Sequence, residues 1–350
     1  MLNEYDNHKR ILHFIFGLEN FRHQQYDVIR NTLEGQSTLV ILSTGAGKSL
    51  TYQFPPFTKS NFFTIVISPL IALAKDQYEK CVEKGIDVEM WNCNVSMSRK
   101  DRIASDLSDP DVQTKLLYVT PEGLKQPKLI ESLKMAYENK TLCSIAVDEA
   151  HCVSEWGHDF RPSYLELASL RTLFPLTPIS ALTGSCTNEV QKSILKVLGI
   201  PNATVIRSSF NRPNIKYEIR YKDVIGSGYD SCVIQDIVNF VRERPDDCGI
   251  VYCRLRTTCD WVAAALCASD IEASAYHAGK DQDQRNRCQS EWSSGRLNVV
   301  VATVAFGMGI DRADVRWVIH WNAPASMEGF YQESGRAGRD GLPSISILYA

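Results

Sequence analysis

Three short strings in this chain hold residues that could do chemistry on phosphate. The first is STGAGKS, residues 43–49. Small residues there let consecutive backbone N–H groups turn inward around phosphate oxygens. Thr44, Gly45, Ala46 and Gly47 would form that cradle. Lys48 would reach the outer phosphates of a nucleotide, and Ser49 would offer its hydroxyl to Mg2+. The second string is VDEAH, with Asp148 and Glu149 side by side. Mg2+ prefers hard oxygen ligands, so Asp148 can hold it beside Ser49, while Glu149 can orient and deprotonate an attacking water. The third is YQESGRAGRDG (331–341), where Arg336 and Arg339 stand among small residues. Guanidinium groups that meet developing charge contribute strongly to phosphoryl transfer. Each string also has a plainer reading: a Gly-rich turn kept for packing, two solvated acids at a strand end, two surface arginines. The strict phosphate-loop pattern asks for Gly where Leu42 stands.

Strands must position these strings. STLVIL (37–42) runs into the phosphate loop, and LCSIAVDE (142–149) delivers the two acids. FFTIVIS (62–68), KLLYVT (115–120) and TPISALTG (177–184) are further buried-strand candidates, with helical patterns between them. Apolar strands separated by helices predict a parallel sheet covered on both faces. The second half repeats the pattern with CGIVYCR (248–254), EASAYHAG (272–279), NVVVATVAF (298–306), VRWVIHWN (315–322) and SISILYA (344–350). The fold class is therefore α/β, with two tandem parallel-sheet domains, 1–207 and 208–350, and a nucleotide cleft between them. LGIPNATVIRSSFNRPNIKYEI (198–219) reads as the connection. Ligands of such sheets gather at the carboxyl ends of the strands.

A length of 350 residues is comfortable for two domains. The net charge of −3 gives no global pull on a polyanion, so nucleic acid would need a local groove. No apolar run approaches the roughly 20 residues of a membrane helix, and no membrane association is expected. The N-terminus, MLNEYDNHKR, lacks the basic start of a secretory signal. Eleven cysteines, an odd number with no CxxC pair, predict reduced thiols in an intracellular reducing compartment.

Taken together with FGLENFRHQQ (16–25), SPLIALAKDQ (68–77), WGHDFRP (156–162), ALTGSCT (181–187), FNRPNI (210–215) and AFGMGID (305–311), the strings resemble the superfamily 2 helicases. Within them the chain resembles the RecQ family of ATP-dependent DNA helicases nearly end to end. The wording HWNAPASMEGFYQESGRAGRDG (320–341) looks closest to the RecQ5-like branch. The resemblance implies two RecA-like lobes, ATP and Mg2+ as cofactors, and 3′-to-5′ movement on single-stranded and forked DNA in repair and recombination. It further implies a nuclear location and repair or transcription proteins as partners. The family's zinc-binding and winged-helix regions would follow Ala350, and no structural zinc is expected in this chain.

The resemblance also assigns residues. Arg22 and Gln25 match the adenine-recognition pair, and Asp311 the residue that meets the ribose. Ser68, Thr120 and Thr303 match strand-contacting positions. Trp156, Phe160 and Arg161 match the loop that senses single-stranded DNA, with His151 and His158 relaying to Glu149, and Ala181-Leu182-Thr183 begins the segment that links the ATP site to DNA. An aromatic face stacks on any base, for about 1–3 kcal/mol without sequence preference. Leu18 stands where the family has an aromatic, and Glu155 where it has Gln. Two rival classes stay open: a DNA-stimulated ATPase or translocase with little unwinding, and a non-catalytic DNA-binding isoform. Intact Lys48, Asp148, Glu149 and Arg339 speak against the second.

Overall fold

The computed structural model describes residues 4–22, 24–43, 45–154, 160–226, 230–307 and 312–350. The chain divides into two units, Met1–Phe210 and Asn211–Ala350. Among the described residues the first unit holds β1 (Thr38–Ile41), β2 (Phe63–Ile67), β3 (Val88–Trp91), β4 (Leu116–Val119), β5 (Leu142–Val147), β6 (Ile179–Thr183) and β7 (Thr204–Arg207). They form one parallel sheet in the order β3-β4-β2-β5-β6-β1-β7.

Side-chain alternation explains why these apolar runs become central strands. Leu39 and Ile41 of β1 point into one core, whereas Val40 points into the other. Ile145 and Val147 of β5 join the first core and Ala146 the second. Helices 97–108, 127–138 and 188–197 close the first face through residues such as Ile103, Leu133 and Ile194. Helices 4–16, 25–33 and 71–83 close the other through Leu12, Val28 and Cys81. Burial on both sides favours strands that are apolar at every position.

The second unit holds β8 (Ile215–Arg220), β9 (Cys248–Tyr252), β10 (Ala273–Tyr276), β11 (Val299–Ala302), β12 (Val315–His320) and β13 (Ser344–Tyr349). Their order is β10-β11-β9-β12-β13-β8, again parallel. Here Gly249 has a packing reason: a Cβ at that position would collide with the indole of Trp317 on the neighbouring β12.

One expectation is corrected. The stretch 198–219 is not a plain connection, because it supplies β7 and β8, the edge strands of the two sheets. The division between the two units falls after Phe210. Ser208 N–H still donates to Ile41 O, and Phe210 packs against the first unit's core.

Candidate active site and strand-contacting loops

The acid pair sits where β5 ends. Asp148 N–H donates to Ile67 O at 2.9 Å, which extends the pairing with β2 by one residue. The chain then turns sharply: Glu149 has φ 48° in the left-handed region, a conformation that costs a non-glycine residue energy and recurs at functional sites. Asp148 Oδ1 accepts from Glu149 N–H at 3.0 Å. Burial, then the adjacent Glu149 carboxylate, push Asp148 up to about 7, with Lys48 pulling the other way. The Tyr52 phenol, fully buried, is raised by burial and then by Asp148. Lys48 and Glu149 thus act on the Asp148 carboxylate, and Asp148 in turn acts on the Tyr52 phenol.

The phosphate loop is tied by main-chain oxygens. Lys48 Nζ donates to Leu42 O at 2.9 Å and to Ser43 O at 3.3 Å. Arg22 Nη1 donates to Gly45 O at 2.6 Å. Gln25 accepts from Arg22 N–H at 2.7 Å and donates to Gly47 O at 2.9 Å. Gly47 has φ +81°, and a Cβ there would collide with Gln25 Nε2. The Gln25 amide keeps one N–H and one lone pair beyond these bonds, enough to read one edge of a base. Ala46 N–H donates to Ser43 O at 3.1 Å, and Ser49 lies in the helix that Lys48 opens. Thr44 and Asp311 lie outside the described residues.

His151 links the acids to β6. Its Nδ1 lies 2.9 Å from Thr183 Oγ1. Thr183 Oγ1 donates to Ser185 O at 2.7 Å. A hydroxyl has one proton, so Thr183 must accept from His151, and the imidazole carries its proton on Nδ1. Glu149 Oε2 lies 3.3 Å from that nitrogen, and among the described residues this buried oxygen has no hydrogen-bond partner. It is the atom a proton-abstracting base requires.

The strand-contacting candidates fall at strand ends. Ser68 follows β2 and Thr120 follows β4, both buried. Their hydroxyls turn into their own loops: Ser68 Oγ donates to Leu70 O at 3.4 Å, and Thr120 Oγ1 accepts from Gly123 N–H at 3.3 Å. Arg161 Nη1 donates to Pro69 O at 2.6 Å, joining its loop to the one that starts at Ser68. Arg161 N–H also donates to Cys152 O at 2.9 Å, which closes the base of that loop. Phe160 is half-buried, and Trp156, His158 and Glu155 lie outside the described residues. Thr303 follows β11 in the second unit, its hydroxyl accepting from Ala305 N–H at 3.4 Å.

Arg336 and Arg339 also belong to the second unit, both half-buried. Arg336 Nη1 donates to Gly307 O. Burial pushes the nearby Tyr252 phenol up to about 12, and both arginines oppose that rise. Sequence reasoning missed Tyr164, whose hydroxyl donates to Asp148 O at 3.0 Å, and Tyr52. Tyrosines among apolar residues look like core, so the sequence carries no signal for either.

Two family models match the chain: DEAD/DEAH box helicase over residues 22–193, and Helicase conserved C-terminal domain over residues 232–341. The pair defines the class, a superfamily 2 helicase core of two tandem RecA-like domains. ATP-dependent DNA helicase Q-like 2 of Arabidopsis thaliana is 41% identical over 338 residues, covering 96% of this chain and 47% of that protein. ATP-dependent DNA helicase RecQ of Haemophilus influenzae is 39% identical over 341 residues, covering 97% of this chain and 52% of that protein. The chain belongs to the RecQ-like family and spans about half the length of these relatives. The crystal structure of the DUF1998 helicase MrfA bound to DNA shares the fold, with a TM-score of 0.80 at 17% identity, covering 100% of this chain and 52% of that one.

Proposed function

We propose that this chain is the motor core of a RecQ-type, ATP-dependent 3′-to-5′ DNA helicase that moves along single-stranded DNA and opens forked duplexes in repair and recombination. The observation that carries the reading is the Asp148–Glu149–His151–Thr183 arrangement beside Lys48, with a buried carboxylate oxygen at Glu149 left to accept a proton. Lys48 holds the outer phosphates, and Gly45, Ala46 and Gly47 offer backbone N–H groups. Arg22 and Gln25 orient the base, and Glu149 takes the proton from the attacking water.

The residues present fit Mg2+. Ser49 and Asp148 supply a hydroxyl and a carboxylate, hard oxygens of the kind the ion takes alongside waters and phosphate. Among the described residues no three His, Cys, Asp or Glu side chains gather into a metal cluster, which a site of this kind does not need. When bound, the ion supplies charge neutralisation at the phosphate oxygens. Arg336 and Arg339 supply the guanidinium groups that meet the developing charge at the γ-phosphate. The loop around Phe160 and Arg161 reports DNA to Glu149 through His151.

ATP turnover with and without single-stranded DNA, on wild type and Glu149→Gln, tests the reading. DNA-stimulated turnover lost in the variant supports it, and equal turnover in both sinks it. A strand-displacement assay alongside separates a helicase from a translocase. The HWNAPASMEGFYQESGRAGRDG wording supports placement in the RecQ5-like branch, which a tree built from family members would overturn by placing the chain elsewhere. Nuclear location and repair or transcription partners rest on the family alone, and imaging a fluorescent fusion in cells tests the first.

A further inference from the structure

FNRPNI (210–215) has no role in the function proposed above. Its Arg212 and Asn214 open the second unit, yet both side chains reach the loop that carries Arg336 and Arg339, 123 residues on from Arg212 at the first contact. Arg212 donates from Nη1 to Gly335 O at 3.1 Å, and from Nη2 to Ala337 O and Gly338 O, each at 2.9 Å. Asn214 donates from Nδ2 to Gly338 O at 2.8 Å and to Leu342 O at 3.0 Å. The same loop is held from the sheet, where Gly338 N–H donates to Val315 O at 2.8 Å and Ser344 N–H to Asn214 O at 2.8 Å. Gly338 has φ +56°, and a Cβ there would collide with Asn214 Nδ2 and approach Ser344 Oγ at 2.7 Å.

We propose that Arg212, assisted by Asn214, is a positioning residue that sets the place of the Arg336 and Arg339 side chains. The three carbonyls it grips flank Arg336 on both sides and immediately precede Arg339. A planar guanidinium presents several N–H donors in a fixed fork and can span such a set, which a lysine ammonium cannot match. A guanidinium engaged with three carbonyls is a brace on the backbone, not a phosphate clamp. Because Arg212 is the second residue of its unit, the brace ties the start of that unit to this loop. The inference rests on the reading of Arg336 and Arg339 as the groups that meet the γ-phosphate.

The test uses the 350-residue chain, with steady-state ATP turnover on saturating single-stranded DNA, fluorescent-ADP binding and thermal unfolding. Arg212→Ala should lower kcat by about 10- to 100-fold, the scale of a misplacement of order 1 Å. KM for ATP and ADP affinity should stay at wild-type values. Arg212→Lys, which keeps the charge, should lose a similar factor, and it carries the test if the Ala variant does not fold. In an Arg339→Ala background the Arg212 substitution should remove little further activity. Independent, multiplying losses overturn the inference, as does a raised KM with unchanged kcat, which would make Arg212 a nucleotide ligand. Normal turnover in both Arg212 variants beside a crippled Arg339→Ala sinks this inference alone. Normal turnover in Arg336→Ala and Arg339→Ala sinks the γ-phosphate reading first and takes this one with it.

Discussion

Replacing Thr183 with Val removes one buried oxygen and changes the packed volume little, so its consequences follow from hydrogen bonds. Thr183 Oγ1 gives its proton to Ser185 O at 2.7 Å and accepts from His151 Nδ1 at 2.9 Å. The variant denies the imidazole N–H and the Ser185 carbonyl that partner, and a buried polar group left unsatisfied costs about 1–3 kcal/mol. The imidazole recovers part of this by turning its N–H onto Glu149 Oε2, 3.3 Å away. A hydrogen bond to a charged acceptor is worth about 1.5–3 kcal/mol, and this one ties up the lone pair that would take the proton from water. That bond must be partly given up before the oxygen can accept a proton. With about half the difference felt in the transition state, kcat falls about 4- to 13-fold. Phosphate release at saturating ATP and single-stranded DNA measures this, with thermal unfolding run in parallel to separate lost stability from lost rate. Thr183→Ser keeps the oxygen and should keep the rate. Wild-type turnover in Thr183→Val, or equal damage in Thr183→Ser, refutes the routing of the proton.

Other outcomes follow from individual contacts. Glu149→Gln should lower DNA-stimulated turnover by about 10²- to 10⁴-fold, with ATP binding retained in a filter or fluorescence assay. Gly338→Ala should destabilise the fold by about 2–4 kcal/mol, read from the denaturant midpoint, because it adds left-handed strain to a collision with Asn214. Gly249→Ala should cost about 1–3 kcal/mol or more by displacing the Trp317 indole, seen as a lower unfolding temperature. His8 is buried against Phe54 and Tyr26, and burial lowers its pKa below the ordinary 6.5, opposed by Glu4. The unfolded chain therefore binds the proton more readily, so stability is fully present above pH 6.5 and is lost as pH falls through that value. The unfolding temperature should drop between pH 7 and 5, and His8→Gln should flatten the slope.

What the sequence revealed of the fold depended on burial. β1, β2, β5 and β9 are covered on both faces and are apolar at nearly every position, so they read as strands directly. β7 and β8 lie at sheet edges, with exposed residues such as Val205, Tyr217 and Ile219, and their mixed composition reads as a connection. β3 is also an edge strand, and its VEMW carries no clear period. Within the site, Lys48, Asp148 and Glu149 were legible because their chemistry needs adjacent residues. Arg212 was not, since its partners are main-chain oxygens more than a hundred residues away, which no side-chain spelling betrays.

That observation extends across the site. Lys48 donates to Leu42 O and Ser43 O, Arg22 to Gly45 O, Arg161 to Pro69 O, and Arg336 to Gly307 O. A cation resting on carbonyls keeps its full charge for a phosphate, while its long side chain is already ordered. The entropy of fixing it, up to about 2 kcal/mol for a lysine or arginine, is then met in folding instead of in binding. Such an acceptor is part of the backbone, so side-chain substitution cannot remove it, and only a change in the path of the chain can move it. Gly45, Gly47 and Gly338 hold that path at positive φ, two of them with no room for a Cβ. Glycine spacing, more than any pairing residue, is therefore the sequence mark of this kind of site, and substituting a glycine should misplace a cation that the substitution never touches.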